Sequence, residues 1–70
     1  MTPGNRINTL TARESEILRL VAAGLTNRQA AERLGVSVRT VDAHLRSIYG
    51  KLGVKSRGAA TRFALDNNLA

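Results

Sequence analysis

The chain has 70 residues, no cysteine, two aromatic residues (Tyr49 and Phe63) and 11 Lys plus Arg against 5 Asp plus Glu, for a net charge of +6 and a pI near 11.5. With no thiols and no run of 18 or more apolar residues, a disulfide framework, a thiolate metal site and a membrane span are excluded, leaving one small domain with a core of on the order of 5 kcal/mol or less. The basic excess points to a polyanionic partner, and seven of the bases stand against two acids between Asn27 and Arg57, where the remainder of the chain is nearly balanced.

The start, MTPGNRIN, lacks the apolar stretch and small-residue cleavage site of a secretory signal, so residues 1–9 read as a disordered N-terminal segment and the protein as cytoplasmic. Residues 10–70 read as the folded domain. Thr11 to Glu14 has the spacing of a capping box, Leu10 before it can serve as a hydrophobic staple, and Ile17, Leu18, Val21 and Leu25 supply an apolar side, which predicts a first helix over 12–23 ended by Gly24. Thr26 to Gln29 repeats the box with Gln, and Ala30, Ala31 and Leu34 make a short stripe before Gly35, for a second helix over 27–34. Ser37 can cap a third helix over 38–52, ended by Gly53. Ser56 can cap a fourth over 57–67, with Ala60, Phe63 and Ala64 inward. No strand-like alternation interrupts this series, so the fold class is all-α: a compact four-helix domain.

In the third helix Val38, Val41, Leu45, Ile48 and Leu52 gather on one side at 3.6 residues per turn, and Arg39, Ala43, Arg46 and Gly50 on the other, flanked by Thr40, Asp42 and Ser47. A polar, basic face of low bulk suits a groove, although a solvated surface helix has the same appearance. The connection before it decides more. Gly35, Val36 and Ser37 are too few for a hairpin of long antiparallel helices and suit two helices crossing steeply, with Ala31 allowing close approach, Gly35 taking positive φ, and Val36 and Val41 filling the angle. This is helix-turn-helix spacing, in which the second helix enters the major groove of duplex DNA by its N-terminal half. Ser37 and the amides at the start of that helix can hold a phosphate. An anionic membrane is the weaker candidate partner, because the helix lacks the Trp and Phe of interfacial helices.

The segments LTARE, GLTN, AERLGVSVRTVDAHL, IYGKLGV and SRGAA, in that order, strongly resemble the LuxR-type (GerE-like) DNA-binding domain of bacterial transcription regulators, over about Leu10 to Ala64. The resemblance implies an effector domain of the kind carried by response regulators, usually the C-terminal module of a longer chain. It implies base-edge contacts from Asp42, Ala43 and Arg46, phosphate contacts from Asn27, Arg39, Thr40, Lys51 and Arg57, and pairing of copies through the last helix, here Ala59, Ala60, Phe63, Ala64 and Asn67. The expected partners are double-stranded DNA and, secondarily, RNA polymerase, with a monomer or weak dimer in free solution and a dimer on DNA. Three positions depart from the family: Ala30 where a larger aliphatic is common, Asp42 where Lys is frequent, and Gly50 where a longer residue is usual. A helical protein-interaction module docking on the transcription machinery is the alternative function.

His44 borders the buried stripe and is expected to pack; with no second His, no Cys and no adjacent acid it makes neither a metal site nor an activated phospho-acceptor. No nucleophile, base and orienting partner assemble from neighbouring positions and no glycine-rich phosphate loop occurs, so neither enzyme activity nor a cofactor is expected.

Overall fold

The computed structural model describes residues 9–69, and the expected disordered segment 1–9 lies, apart from Thr9, outside them. Four helices follow one another with short turns: α1 (Ala12–Ala22), α2 (Asn27–Leu34), α3 (Val38–Leu52) and α4 (Arg57–Asp66). All four begin in the same way. Thr11, Thr26, Ser37 and Ser56 sit in extended backbone, and each side-chain oxygen accepts the N–H three residues on; at Thr11 and Thr26 the reciprocal bonds from Glu14 and Gln29 close full capping boxes.

The helix ends are also alike. After α2, Gly35 takes φ +71°, its N–H bonding to the Glu32 carbonyl while the Val36 N–H bonds to that of Ala31. This reversal satisfies two terminal carbonyls and swings the chain into α3, and an L side chain would strain the backbone at that φ. After α4 the same pair of bonds forms around Asn68 at φ 58°, from Asn68 to Leu65 and from Leu69 to Ala64. The residue following each reversal, Leu25, Val36, Val54 and Leu69, is apolar and half-buried, and Val36, Val54 and Leu69 pack against the core.

Ile17, Leu18 and Val21 of α1, Ala30 and Ala31 of α2, Val41, Leu45, Ile48 and Leu52 of α3, and Ala60 and Ala64 of α4 form one core, with Leu10, Val36, Tyr49, Phe63 and Leu69 packed around it. α1 lies mainly against α4 and α3, and α2 against α3. Ala31, almost wholly enclosed, allows the close α2–α3 approach that the short turn requires.

Three expectations change. α1 ends at Ala22 rather than Ala23, and α4 at Asp66 rather than Asn67, because Ala23 and Asn67 serve as caps. Val38, placed on the buried stripe by its period, is 41% exposed: it is the first residue of α3, and burial along that stripe begins one turn later, at Val41.

Candidate nucleic-acid interface

With Val41, Leu45, Ile48 and Leu52 turned into the core, the opposite side of α3 is obligatorily outward, and Arg39, Asp42, Ala43, Arg46, Ser47 and Gly50 are all exposed. Arg39 and Arg46 stand two turns apart, roughly 10 Å along the helix, with the Ala43 methyl and the Asp42 carboxylate on the turn between them. Neither guanidinium takes part in an ion pair or side-chain hydrogen bond among the described residues. Ser37 and Thr40 mark the N-terminal edge of this face: the Ser37 Oγ accepts the Thr40 N–H at 3.1 Å and lies 3.0 Å from the Thr40 hydroxyl.

Two polar junctions tie α3 to the rest of the fold. The first is centred on the buried Glu14 carboxylate. Glu14 Oε1 accepts the Thr11 N–H at 2.9 Å and the Lys51 ammonium at 2.7 Å, while Oε2 accepts the Ser47 hydroxyl at 2.6 Å. Burial alone would raise the carboxyl pKa, but the hydrogen bonds from Lys51, Ser47 and the Thr11 backbone, with the charge of Lys51, outweigh it and bring it from 4.5 down to about 2. The charged carboxylate is therefore the folded form across the physiological range, and it clamps the C-terminal half of α3 to the start of α1.

The second junction lies at the N-terminal half of α3. Asn27 Nδ2 donates to Asp42 Oδ1 at 2.7 Å; the Arg57 guanidinium donates through Nη1 to Asn27 Oδ1 and through Nη2 to the Leu25 carbonyl. It joins the first residues of α2 and α4 to the outward face of α3.

These junctions redistribute the roles expected from the sequence. Asp42, Ala43, Arg46, Arg39, Thr40 and Ser37 come together on one face or its edge. Lys51 is half-buried and held by Glu14, and Asn27 and Arg57 are half-buried and bonded to each other. Asp42 pairs with Asn27 rather than with Arg39 or Arg46. On α4, Ala60 and Ala64 are fully enclosed within the chain's own core, so their methyls are unavailable to a second copy, and Phe63 is half-buried. Ala59 and Asn67 are exposed, the latter donating to the Phe63 carbonyl at 2.8 Å. The outward residues of α4 also include Arg62, Leu65 and Asp66, with Arg62 and Asp66 ion-paired. His44 is half-buried.

The anchor that the sequence reading passed over is Glu14. Its capping role is evident from spacing, but it also falls in register with Ile17, Leu18 and Val21 on the apolar side of α1, where a charged residue requires a partner. Among the described residues no helix is long and apolar enough to cross a membrane, and no group of three or more His, Cys, Asp or Glu is placed to hold a metal ion.

This arrangement has close relatives. A sequence model of the family described as "Bacterial regulatory proteins, luxR family" matches residues 8–64. The chain is 44% identical over 64 residues to the nitrate/nitrite response regulator protein homolog of Haemophilus influenzae, covering 91% of this chain and 31% of that one. It is 48% identical over 60 residues to the oxygen regulatory protein NreC of Staphylococcus aureus, covering 86% and 28%. Among solved structures it superimposes on the response regulator ChrA of a heme-sensing two-component system with a TM-score of 0.80 and 49% identity, over 87% of this chain and 30% of that one. The chain thus spans less than a third of the length of these regulators. Capped helix-turn-helix, basic outward face and family match agree: the chain belongs to the luxR family of bacterial regulatory proteins, as a helix-turn-helix domain of DNA-binding transcription regulation.

Proposed function

We propose that this domain binds duplex DNA sequence-specifically, with α3 in the major groove, Arg46, Ala43 and Asp42 toward base edges, and Arg39, Thr40 and Ser37 toward flanking phosphates. The observation that carries this reading is the pair of guanidinium groups, Arg39 and Arg46, unpartnered among the described residues and set on either side of the small Ala43 on the exposed outward face. A guanidinium can donate two parallel hydrogen bonds to the O6 and N7 acceptors of guanine, and the small residue between lets the helix axis approach the floor of the groove. Lys51 and Arg57 act differently from that pair: bound within the chain, they shape the face and raise the local positive potential, and only their remaining N–H groups are left for phosphates.

The domain works as the output module of a cytoplasmic regulator of the response-regulator kind, a monomer or weak dimer when free and a dimer on an inverted-repeat site. A second copy meets the exposed Ala59, Arg62 and Leu65 of α4. RNA polymerase is a further partner of the DNA-bound form. The test is a salt titration of binding to a site selected from a random duplex library. Phosphate neutralisation makes log K fall linearly with log salt, by about 0.9 per phosphate contacted. A binding constant insensitive to salt, or no selected site at all, favours a protein-docking module and overturns the proposal.

A further inference from the structure

The Arg57–Asn27–Asp42 chain has only one possible hydrogen-bond order. A guanidinium has donors and no acceptor, and an ionised carboxylate has acceptors and no donor. An amide between them must turn its oxygen to Arg57 and its NH2 to Asp42, which is the arrangement present. Arg57 is itself fixed by its second bond, to the Leu25 carbonyl in the turn before α2. The Asn27 amide cannot flip without opposing donor to donor and acceptor to acceptor. It therefore holds Asp42 by Oδ1 alone, and no described residue bonds to the exposed carboxylate's other oxygen, Oδ2.

We propose that Asn27, oriented by Arg57, is a specificity-determining positioning residue: it fixes the Asp42 carboxylate so that Oδ2 is presented to the groove as an acceptor for the exocyclic amine of a base, cytosine N4 foremost. This rests on the reading that α3 lies in the major groove. There a carboxylate matches the amine-bearing edges of cytosine and adenine, whereas it opposes the acceptors of guanine and thymine. A freely rotating Asp42 would gain little selectivity and would repel the phosphates; one held from behind by an amide and a cation spends less entropy on the contact and has its charge partly compensated. Neither Asn27 nor Arg57 need touch a base to influence which base is chosen.

The test is selection from a random duplex library by the parent domain and by the Asp42→Asn, Asn27→Ala and double variants, with the helical circular-dichroism signal recorded for each. Asp42 is exposed, so the Asp42→Asn chain retains the fold. In it the Asn27 NH2 still demands an oxygen, so the new side chain must turn its own NH2 outward. The preferred base at one position is then expected to change from an amine-bearing base to an acceptor-bearing one, guanine or thymine. Removing Asn27 erases the preference at that same position in both backgrounds, narrowing best-to-random discrimination by about five- to ten-fold, the low end of what a good base contact is worth, as suits a contact through one oxygen. The inference is overturned if Asp42→Asn keeps the parental base or loses all preference there, or if Asn27→Ala weakens selected and random duplexes by one common factor. Failure of the parent to select any site would bring down the major-groove reading as well, which separates the two outcomes.

Discussion

The two junctions that hold α3 each join a cation and a carboxylate, but the carboxylate is buried in one and exposed in the other. At its C-terminal half, a buried carboxylate carries three hydrogen bonds, one from an ammonium ion, and links α3 to the first turn of α1. At its N-terminal half a half-buried amide relays between a guanidinium and an exposed carboxylate that belongs to the outward face. An uncompensated charge in the first setting costs several kcal/mol, so that junction secures the fold. In the second, water is close at hand and each bond is worth less, but its last residue, Asp42, belongs to the outward face proposed to meet the bases. One helix is thus fastened at one end for stability and, on the proposed reading, tuned at the other for recognition.

The comparison breaks most visibly at Glu14. Glu14→Ala leaves Lys51, the Ser47 hydroxyl and the Thr11 N–H without their shared acceptor, and urea unfolding should show a loss of about 2 to 4 kcal/mol, a large share of the stability of so small a domain. The same junction sets a pH dependence. Because the folded-state pKa is depressed from 4.5 to about 2, its contribution is complete above pH 4.5 and disappears progressively as pH falls toward 2, so the urea midpoint should decline through that window. In Glu14→Gln that decline should be much shallower.

On the outward face the largest effect belongs to Arg46. Arg46→Ala should weaken the selected duplex by about 1 to 3 kcal/mol and relax preference at one base pair, with an unchanged urea midpoint. Lys51→Ala should instead lower the urea midpoint and weaken all duplexes alike, as a residue of the fastening junction. Equal relaxation of base preference in both variants would dissolve the distinction between the two ends of α3. The smallest effect is expected at Gly50, exposed in mid-helix with open space where a Cβ would stand. Gly50→Ala should stabilise the domain by about 0.5 to 1 kcal/mol without altering the bound sequence.

Much of this architecture is legible from local chemistry. Thr or Ser three residues before a backbone donor marks every helix start, and Gly35 marks the turn, so α2 and α3 are bounded correctly from sequence alone. Helix ends are less sharply encoded: Ala23 and Asn67 are compatible with one more helical residue, and only the geometry of the following reversal shows that they cap. Periodicity misplaced Val38 because a stripe specifies a direction from the helix axis, not whether a neighbour reaches that far along it. The outward face of α3 follows from the inward one and was accessible in the same way. The junctions were not, since Asn27 meets Asp42 across 15 residues and Arg57 across 30, separations that no local pattern reports. For Glu14 a sign existed in its register with Ile17 and Val21, masked by the adequate explanation of a capping box.

The division between the two ends of α3 is tested most directly by one ratio, the affinity for the best selected duplex over that for random duplex, measured side by side in Glu14→Gln and Asp42→Lys. Glu14→Gln should unfold at lower urea and keep the parental ratio. Asp42→Lys should unfold with the parent, bind random duplex more tightly with a steeper salt dependence, and show a narrowed ratio. A ratio narrowed as much by Glu14→Gln as by Asp42→Lys, or left intact by Asp42→Lys, would contradict the account.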